Sequence, residues 1–276
     1  MSRGLRYWLN TYREFLRVEV ALFVQYRFAM MIWAVWGLVG PLVSLAVWDA
    51  AAASRGSAIR GANGGAFATS DFAAYFLTFM VFSHITMSWD AEDFAFRVRN
   101  GNLSPRLLKP INPIHRDAAS NAAFKVTTGA MMLPLWIALF LILRPTPPAS
   151  VAGLLLAVPA LTLAAVLRFL LQYSLAMLAF WTTRVEAVNQ FYYTLNAFLS
   201  GAIAPLTLLP GWLGPLARLT PFGVTGSFPV ELALGKLEVA QVEQGFAVQL
   251  VWIGVAIAVY RAVWRSGIRQ YSAVGA

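Results

Sequence analysis

Long uncharged runs of apolar residues dominate the pattern of this chain. They cover residues 28–48, 72–89, 126–143, 149–183, 187–209 and 244–260, with interruptions only at His84 and Arg168. A helix needs roughly 20 mostly apolar residues to cross a bilayer. None of the runs alternates apolar and polar residues as a barrel strand does. Each run therefore predicts a membrane-crossing helix.

The run at 149–183 has two interpretations, because it is long enough for two short spans or for one tilted helix. No glycine or proline near Arg168 makes a turn, which favours one helix and six spans in all. Charge placement agrees with that count. With a cytoplasmic N-terminus, six spans place 15 Lys and Arg residues on the inner side and 5 on the outer side, as the positive-inside rule expects.

Three further segments flank or connect the spans. Apolar residues at helical spacing within the basic segment 1–27 predict an interfacial amphipathic helix. The Gly-, Ala- and Ser-rich segment 50–70 predicts a flexible outer loop. The segment 210–243 has short apolar pieces between glycines and prolines, which predicts an outer re-entrant or interfacial helical hairpin before the last span.

Composition supports an all-α integral membrane protein with one domain over 1–276. Hydrophobic residues make up 59% and charged residues 12% of the chain, against about 25% charged in soluble domains. The net charge of +9 is interpreted as basic residues flanking the spans, not as a nucleic-acid surface. The localisation expected for such a chain is the inner (plasma) membrane, with both termini cytoplasmic.

The inner connection at 94–117 contains a capped basic element. Asn100-Gly101 marks a turn. Ser104 is expected to cap a short helix with Pro105 in its first position, and Pro110 ends it. Its leucines, expected on one flank, suit either a groove in a soluble partner or the membrane surface; they are Leu103, Leu107 and Leu108.

Polar residues on the fifth predicted span form a candidate pathway surface. Asn189, Tyr192, Tyr193 and Asn196 recur at spacings of three and four, so they share one helix face. In a membrane such a face turns toward protein or water. Two interpretations remain open, namely hydrogen bonding between helices and a translocation surface.

Two further polar residues interrupt the spans. Arg168 is interpreted either as a substrate or gating contact or as a structural residue, snorkelling or paired with Asp90 or Glu186. His84 fits a packed, hydrogen-bonded residue better than a metal ligand, although both residues stay pathway candidates.

The chain has no motif for binding nucleotide. The single Gly-Lys pair, Gly235-Lys236, is followed by Leu237, and Val230 stands where a phosphate-binding loop needs its first glycine. No metal-binding or catalytic constellation is evident, so no cofactor is expected in this chain.

Several short motifs resemble the permease subunits of ABC exporters of the ABC-2 type. One branch carries R-x-G-x-L-x-x-x-L-L-K-P on its inner loop, which matches residues 99–110. It also ends in Y-S-A-x-G-A, which matches residues 271–276, and Phe228-Pro229-Val230-Glu231-Leu232 resembles the same branch. With the interfacial helix, the six spans and the outer hairpin, the resemblance covers essentially the whole chain.

The resemblance implies a half-transporter. Two permeases, identical or related, would form the pathway, and two copies of a separate ATPase, which binds ATP and Mg²⁺, would dock beneath them. The residues that the resemblance implies in ATPase coupling are Arg99, Gly101, Leu103, Arg106, Leu107, Leu108, Lys109 and Pro110. The substrate is left open, with hydrophobic or cationic compounds among the candidates. The alternative is a stand-alone secondary transporter or channel, for which coupling carboxylates within the spans would be expected.

Overall fold

The computed structural model describes residues 3–61, 66–148 and 150–271. Its helices are α1 (Arg3–Gln25), α2 (Arg27–Arg55), α3 (Thr69–Thr86), α4 (Asp90–Arg99), α5 (Ser104–Leu107), α6 (Pro113–Leu143), α7 (Val151–Ala176), α8 (Val185–Leu199), α9 (Leu213–Leu219), α10 (Pro221–Thr225), α11 (Ser227–Ala233) and α12 (Val239–Gln270). Short 3-10 turns lie at Met177–Phe180 and Leu206–Leu208. A two-residue strand pair, β1 (Ile59–Arg60) and β2 (Ala66–Phe67), is antiparallel.

Four helical elements of the described chain are long and apolar enough to cross a membrane. They are α2 with 29 residues, α6 with 31, α7 with its following 3-10 turn with 30, and α12 with 32. At 1.5 Å per residue each exceeds the roughly 30 Å thickness of the hydrocarbon core. Apart from the strand pair, the chain is a helical, multi-pass membrane protein, and the run at 149–183 forms one helical element, Val151–Phe180.

Two of the predicted spans correspond to shorter helices. α3 has 18 residues and α8 has 15, so α8 ends ten residues before the limit of 209 expected from the sequence. The chain turns at Gly201, whose φ of +88° is costly for other residues. The Tyr75 hydroxyl donates a hydrogen bond to the Gly201 carbonyl at 3.2 Å. This contact with α3 fixes the turn that ends the helix.

α7 occupies the centre of the bundle. It contacts α3, α4, α10, α11 and α12, whereas α1 packs along α6 and α2 packs on α3. Small residues on α7, among them Ala157, Ala160 and Ala164, are almost fully buried. Small side chains let helix backbones approach closely within a membrane. α7 therefore connects the two ends of the molecule.

The two ends differ in structure. The loop end comprises α4, α5, the start of α6, the 3-10 turn after α7 and the end of α12, which share one cluster of buried side chains. The hairpin end comprises the C-terminal part of α2, the strand pair, the start of α3, and α9–α11. Much of the segment 50–70 differs from the flexible loop expected, because α2 extends to Arg55 and the strand residues Ile59 and Phe67 are buried in the core. Residues 62–65 lie outside the described part of the chain.

Candidate coupling site and polar helix faces

The turn between α4 and α5 requires a glycine. Gly101 has a φ of +69°, in the left-handed region that residues with a Cβ rarely adopt. This turn directs Leu103 into the loop-end cluster, where it is fully buried beside Phe94 and Tyr173. The short helix α5 is therefore held against the bundle and does not extend freely from it.

Asp117, near the start of α6, binds three groups from three other elements. Arg97 of α4 donates to both of its carboxylate oxygens, at 2.9 and 2.8 Å. Arg106 of α5 donates to Oδ1 at 2.7 Å, and the Tyr173 hydroxyl of α7 donates to Oδ2 at 3.0 Å. These four residues, named here the Asp117 cluster, join α4 and α5 directly to the central helix α7.

The Asp117 cluster is shielded from water. The side chains of Asp117 and Arg97 are 5% and 7% exposed, and that of Arg106 is 26% exposed. Asp93 adds a contact to Arg97 at 2.8 Å. Burial lowers the pKa of Arg97, but the charges of Asp117 and Asp93 outweigh it, so the pKa of Arg97 lies above its ordinary value. Arg97 is therefore a permanent cation, and it needs these carboxylates because an unpaired buried charge is costly.

Two surface contacts tie the same region to α8 and α12. Arg99 donates to Glu186 at 2.9 Å and to the Thr183 carbonyl at 3.2 Å. The Glu186 pKa is lowered by its own backbone N–H and by the hydrogen bond from Arg99. The Ser104 hydroxyl lies 3.0 Å from the Tyr271 hydroxyl. The sequence suggested that Ser104 caps α5. In the structure Ser104 is already the first helical residue, and Leu103 holds the capping position.

The structure divides the predicted coupling residues into two groups. Arg99, Leu103 and Arg106 bind the bundle, and Leu107 packs against the loop-end cluster. Leu108 is 88% exposed, and Lys109 and Pro110 after it are also exposed. The expectation that the three leucines share one flank is wrong, because a four-residue helix places Leu103 inward and Leu108 outward.

The polar face of α8 points largely into its own subunit. Asn189 and Tyr192 are buried, and Tyr193 and Asn196 are partly buried. The Tyr192 ring lies 5.3 Å from that of Phe222 on α10, and the Tyr193 hydroxyl donates to the Ser88 carbonyl at 3.5 Å. The opposite face is exposed, with Phe191 and Phe198 each about 60% accessible and with Gln190 and Thr194 between them.

Arg168 lies between α3 and α8. Its Nη1 donates to the Thr86 hydroxyl at 3.3 Å, whereas its Nε has no partner in the described part of the chain. Arg168 and His84 both line a small cavity of about 150 Å³. No salt bridge joins Arg168 to Glu186 among the described residues, and the side chain of Asp90 lies outside them.

His84 is packed and hydrogen bonded. Its Nε2 lies 3.1 Å from the Thr128 hydroxyl and 3.3 Å from the Lys125 carbonyl. Its ring meets the ring of Trp136 edge-on at 5.2 Å. These neighbours hold the imidazole between α3 and α6 at the edge of the small cavity.

Sequence reasoning missed the Asp117 cluster. Its members lie 20, 11 and 56 residues apart in sequence from Asp117, so no local motif unites them. One signal was present, since Asp117 is the sole acidic residue between 94 and 185, within a segment that carries six basic residues before 126. A lone carboxylate in so basic a segment is an expected partner for them.

Comparison with known proteins places the chain in a family. No match was found among curated proteins. A sequence profile described as ABC-2 family transporter protein matches residues 60–275, a range that includes α4, α5, the Asp117 cluster, α8 and α9–α11. The final residues of the C-terminal motif, 272–276, lie outside the described structure. The match covers more than three quarters of the sequence, and this chain belongs to the ABC-2 family of transporter proteins.

Proposed function

We propose that this chain is one of two permeases that form the pathway of an ATP-dependent exporter. Membership of the ABC-2 family makes it a membrane transport permease and supports a transmembrane subunit rather than a catalytic enzyme. The proposal adds six crossings, formed by α2, α3, α6, α7, α8 together with residues 200–209, and α12. It also places both termini in the cytoplasm of an inner-membrane protein. The excess of basic residues at the loop end supports this orientation.

The loop end is the proposed docking site for a separate ATPase subunit. Leu108, Lys109 and Pro110 form an exposed apolar and basic tip, of the kind that fits a groove in a soluble partner. The observation that carries the proposal is the bracing of this tip. Arg106, two residues before Leu108, binds Asp117, and Asp117 binds Tyr173 of the central helix. A force applied to the tip would therefore be transmitted to α7 through these hydrogen bonds.

The second permease would face α8 across the pathway. The exposed side of α8 combines Phe191 and Phe198 with Gln190 and Thr194, a mixture poorly suited to lipid. Behind it lie the buried polar residues Asn189 and Tyr192. Aromatic faces attract organic cations, which supports amphipathic or cationic compounds as substrates. ATP and Mg²⁺ would be bound by the ATPase alone.

The test is copurification of the permease with its ATPase subunit. Leu108→Asp should abolish copurification and transport but leave membrane insertion unchanged, because the substitution places a charge at the centre of the docking tip. Asn102→Asp is the matched control, since it adds the same charge at an exposed position of the same turn. Retention of the ATPase by Leu108→Asp would contradict the docking site, and transport by the purified chain alone would favour the stand-alone alternative.

A further inference from the structure

A large cavity opens at the hairpin end, at the other end of the molecule from the docking tip. Its volume is about 890 Å³, within the range of roughly 300–1,000 Å³ typical of small-molecule sites. Its walls come from α2, the start of α3 and the end of α6, and they include Leu42, Leu45, Ala46, Asp49, Leu139 and Leu143. The hydroxyl residues Ser57, Thr69 and Ser70 also line the cavity, and the rest of its lining apart from Asp49 is apolar.

Asp49 gives the cavity a single charge. Its Oδ1 atom is buried, and no described residue donates a hydrogen bond to it. Asp49 takes part in none of the ion pairs found among the described residues. A buried polar atom without a hydrogen-bond partner is unfavourable, so the Asp49 carboxylate is left able to accept a hydrogen bond from a bound donor.

We propose that this cavity binds an amphipathic amine, with its ammonium on Asp49 and its apolar body along the leucines. The charge selects a cation, and a charge-assisted hydrogen bond favours an N–H donor over a quaternary ammonium. The apolar walls select a hydrocarbon body. Two sources share this chemistry, namely the headgroup of phosphatidylethanolamine and a free amine. The site requires neither an ATPase nor transport, so it stands or fails independently of the proposed function.

Binding can be measured by calorimetry on the full-length protein in phosphatidylglycerol nanodiscs, with empty nanodiscs as reference. The probe is 1-adamantylammonium, and 1-adamantanol is its uncharged match. We expect saturable binding of the ammonium, at least ten-fold weaker binding to Asp49→Asn, and no saturable binding of the alcohol. Glu243→Gln is the control variant, because it removes an exposed acidic residue near the start of α12 and should bind like the unmodified protein.

A second variant tests the cavity without changing its charge. Ala46→Phe fills the space beside Asp49 and should also weaken binding at least ten-fold, which keeps the proposal testable if Asp49→Asn misfolds. Adding phosphatidylethanolamine to the nanodiscs distinguishes the lipid headgroup from a free amine as the occupant of the cavity. Weaker probe binding in its presence identifies the lipid headgroup as occupant, and unchanged binding identifies a free amine. Equal binding by the unmodified protein, Asp49→Asn and Ala46→Phe would overturn the proposal.

Discussion

Replacement of Asp117 by Asn tests the bracing of the coupling element most directly. The substitution keeps the shape of the side chain but removes the charge that binds Arg97 and Arg106. Loss of one partner from a buried ion pair costs about 3–5 kcal/mol. Asp93 still contacts Arg97, and Arg106 can turn toward water, so we expect about 3 kcal/mol, at the lower end of that range. At roughly 2–4 °C per kcal/mol in large domains, the melting temperature should fall by about 6–12 °C.

Thermal unfolding of the purified protein measures this loss, and Asp93→Asn is its matched control. Asp93 also contacts Arg97, but its side chain is 63% exposed, and exposed pairs contribute only about 0–1 kcal/mol. The decisive experiment repeats Asp117→Asn in an Arg97→Met background. If the cost comes from an unpaired buried guanidinium, the second substitution should remove most of it. Equal losses in both backgrounds, or equal losses for Asp93→Asn and Asp117→Asn, would refute the reasoning.

Three further predictions concern the turn, the exposed face of α8 and the topology. Gly101→Ala should destabilise the loop end by roughly 1–2 kcal/mol, because a Cβ is disfavoured at its left-handed φ, and amide exchange in α4 and α5 should report faster opening. The double substitution Phe191→Ala and Phe198→Ala, on the aromatic and polar exposed face of α8, should alter substrate-stimulated ATPase activity with the permease dimer intact; loss of the dimer would indicate a packing role instead. In the cysteine-free chain, an impermeant thiol reagent applied to intact cells should label Ser57→Cys but not a cysteine added after Ala276, and the reverse result would invert the topology.

The long helices could be predicted from sequence because their signal is local. In α2, α6 and α12 the uncharged run (28–48, 126–143 and 244–260) alone reaches at least the roughly 17 residues at the lower limit of a spanning helix. The end of α8 was missed because apolar residues continue beyond Leu199, although Gly201, where the chain turns, is a local stop signal. The contact of Gly201 with Tyr75, more than a hundred residues earlier, could not be read from the sequence. The four-residue helix α5 is likewise too short for residue spacing to define a face. The prediction that Leu108 shares one flank with Leu103 and Leu107 was therefore wrong.

The Asp117 cluster lay beyond sequence reasoning for a different reason. Individual basic residues of the inner connection look alike in the sequence, and each is equally suited to solvent, lipid headgroups or a partner protein. Which of them binds Asp117 depends on how α4, α5 and α7 pack around α6. The motif at 99–110 was recognisable in the sequence, but the anchor that holds it against the bundle is visible only in three dimensions.

The central position of α7 has a mechanical consequence. Near one end, Gly153 lies so close to the Leu232 carbonyl of α11 that a Cβ would clash, and near the other end Tyr173 is bonded to Asp117. Twenty residues separate these two contacts, about 30 Å along a helix. A rigid rod of that length, tilted by about 10° at one end, displaces the other end by about 5 Å, nearly one helical turn. Pro159 removes one backbone hydrogen-bond donor within this stretch. A bend in α7 is therefore expected near Pro159, and such a bend would reduce the motion transmitted from one end of the helix to the other.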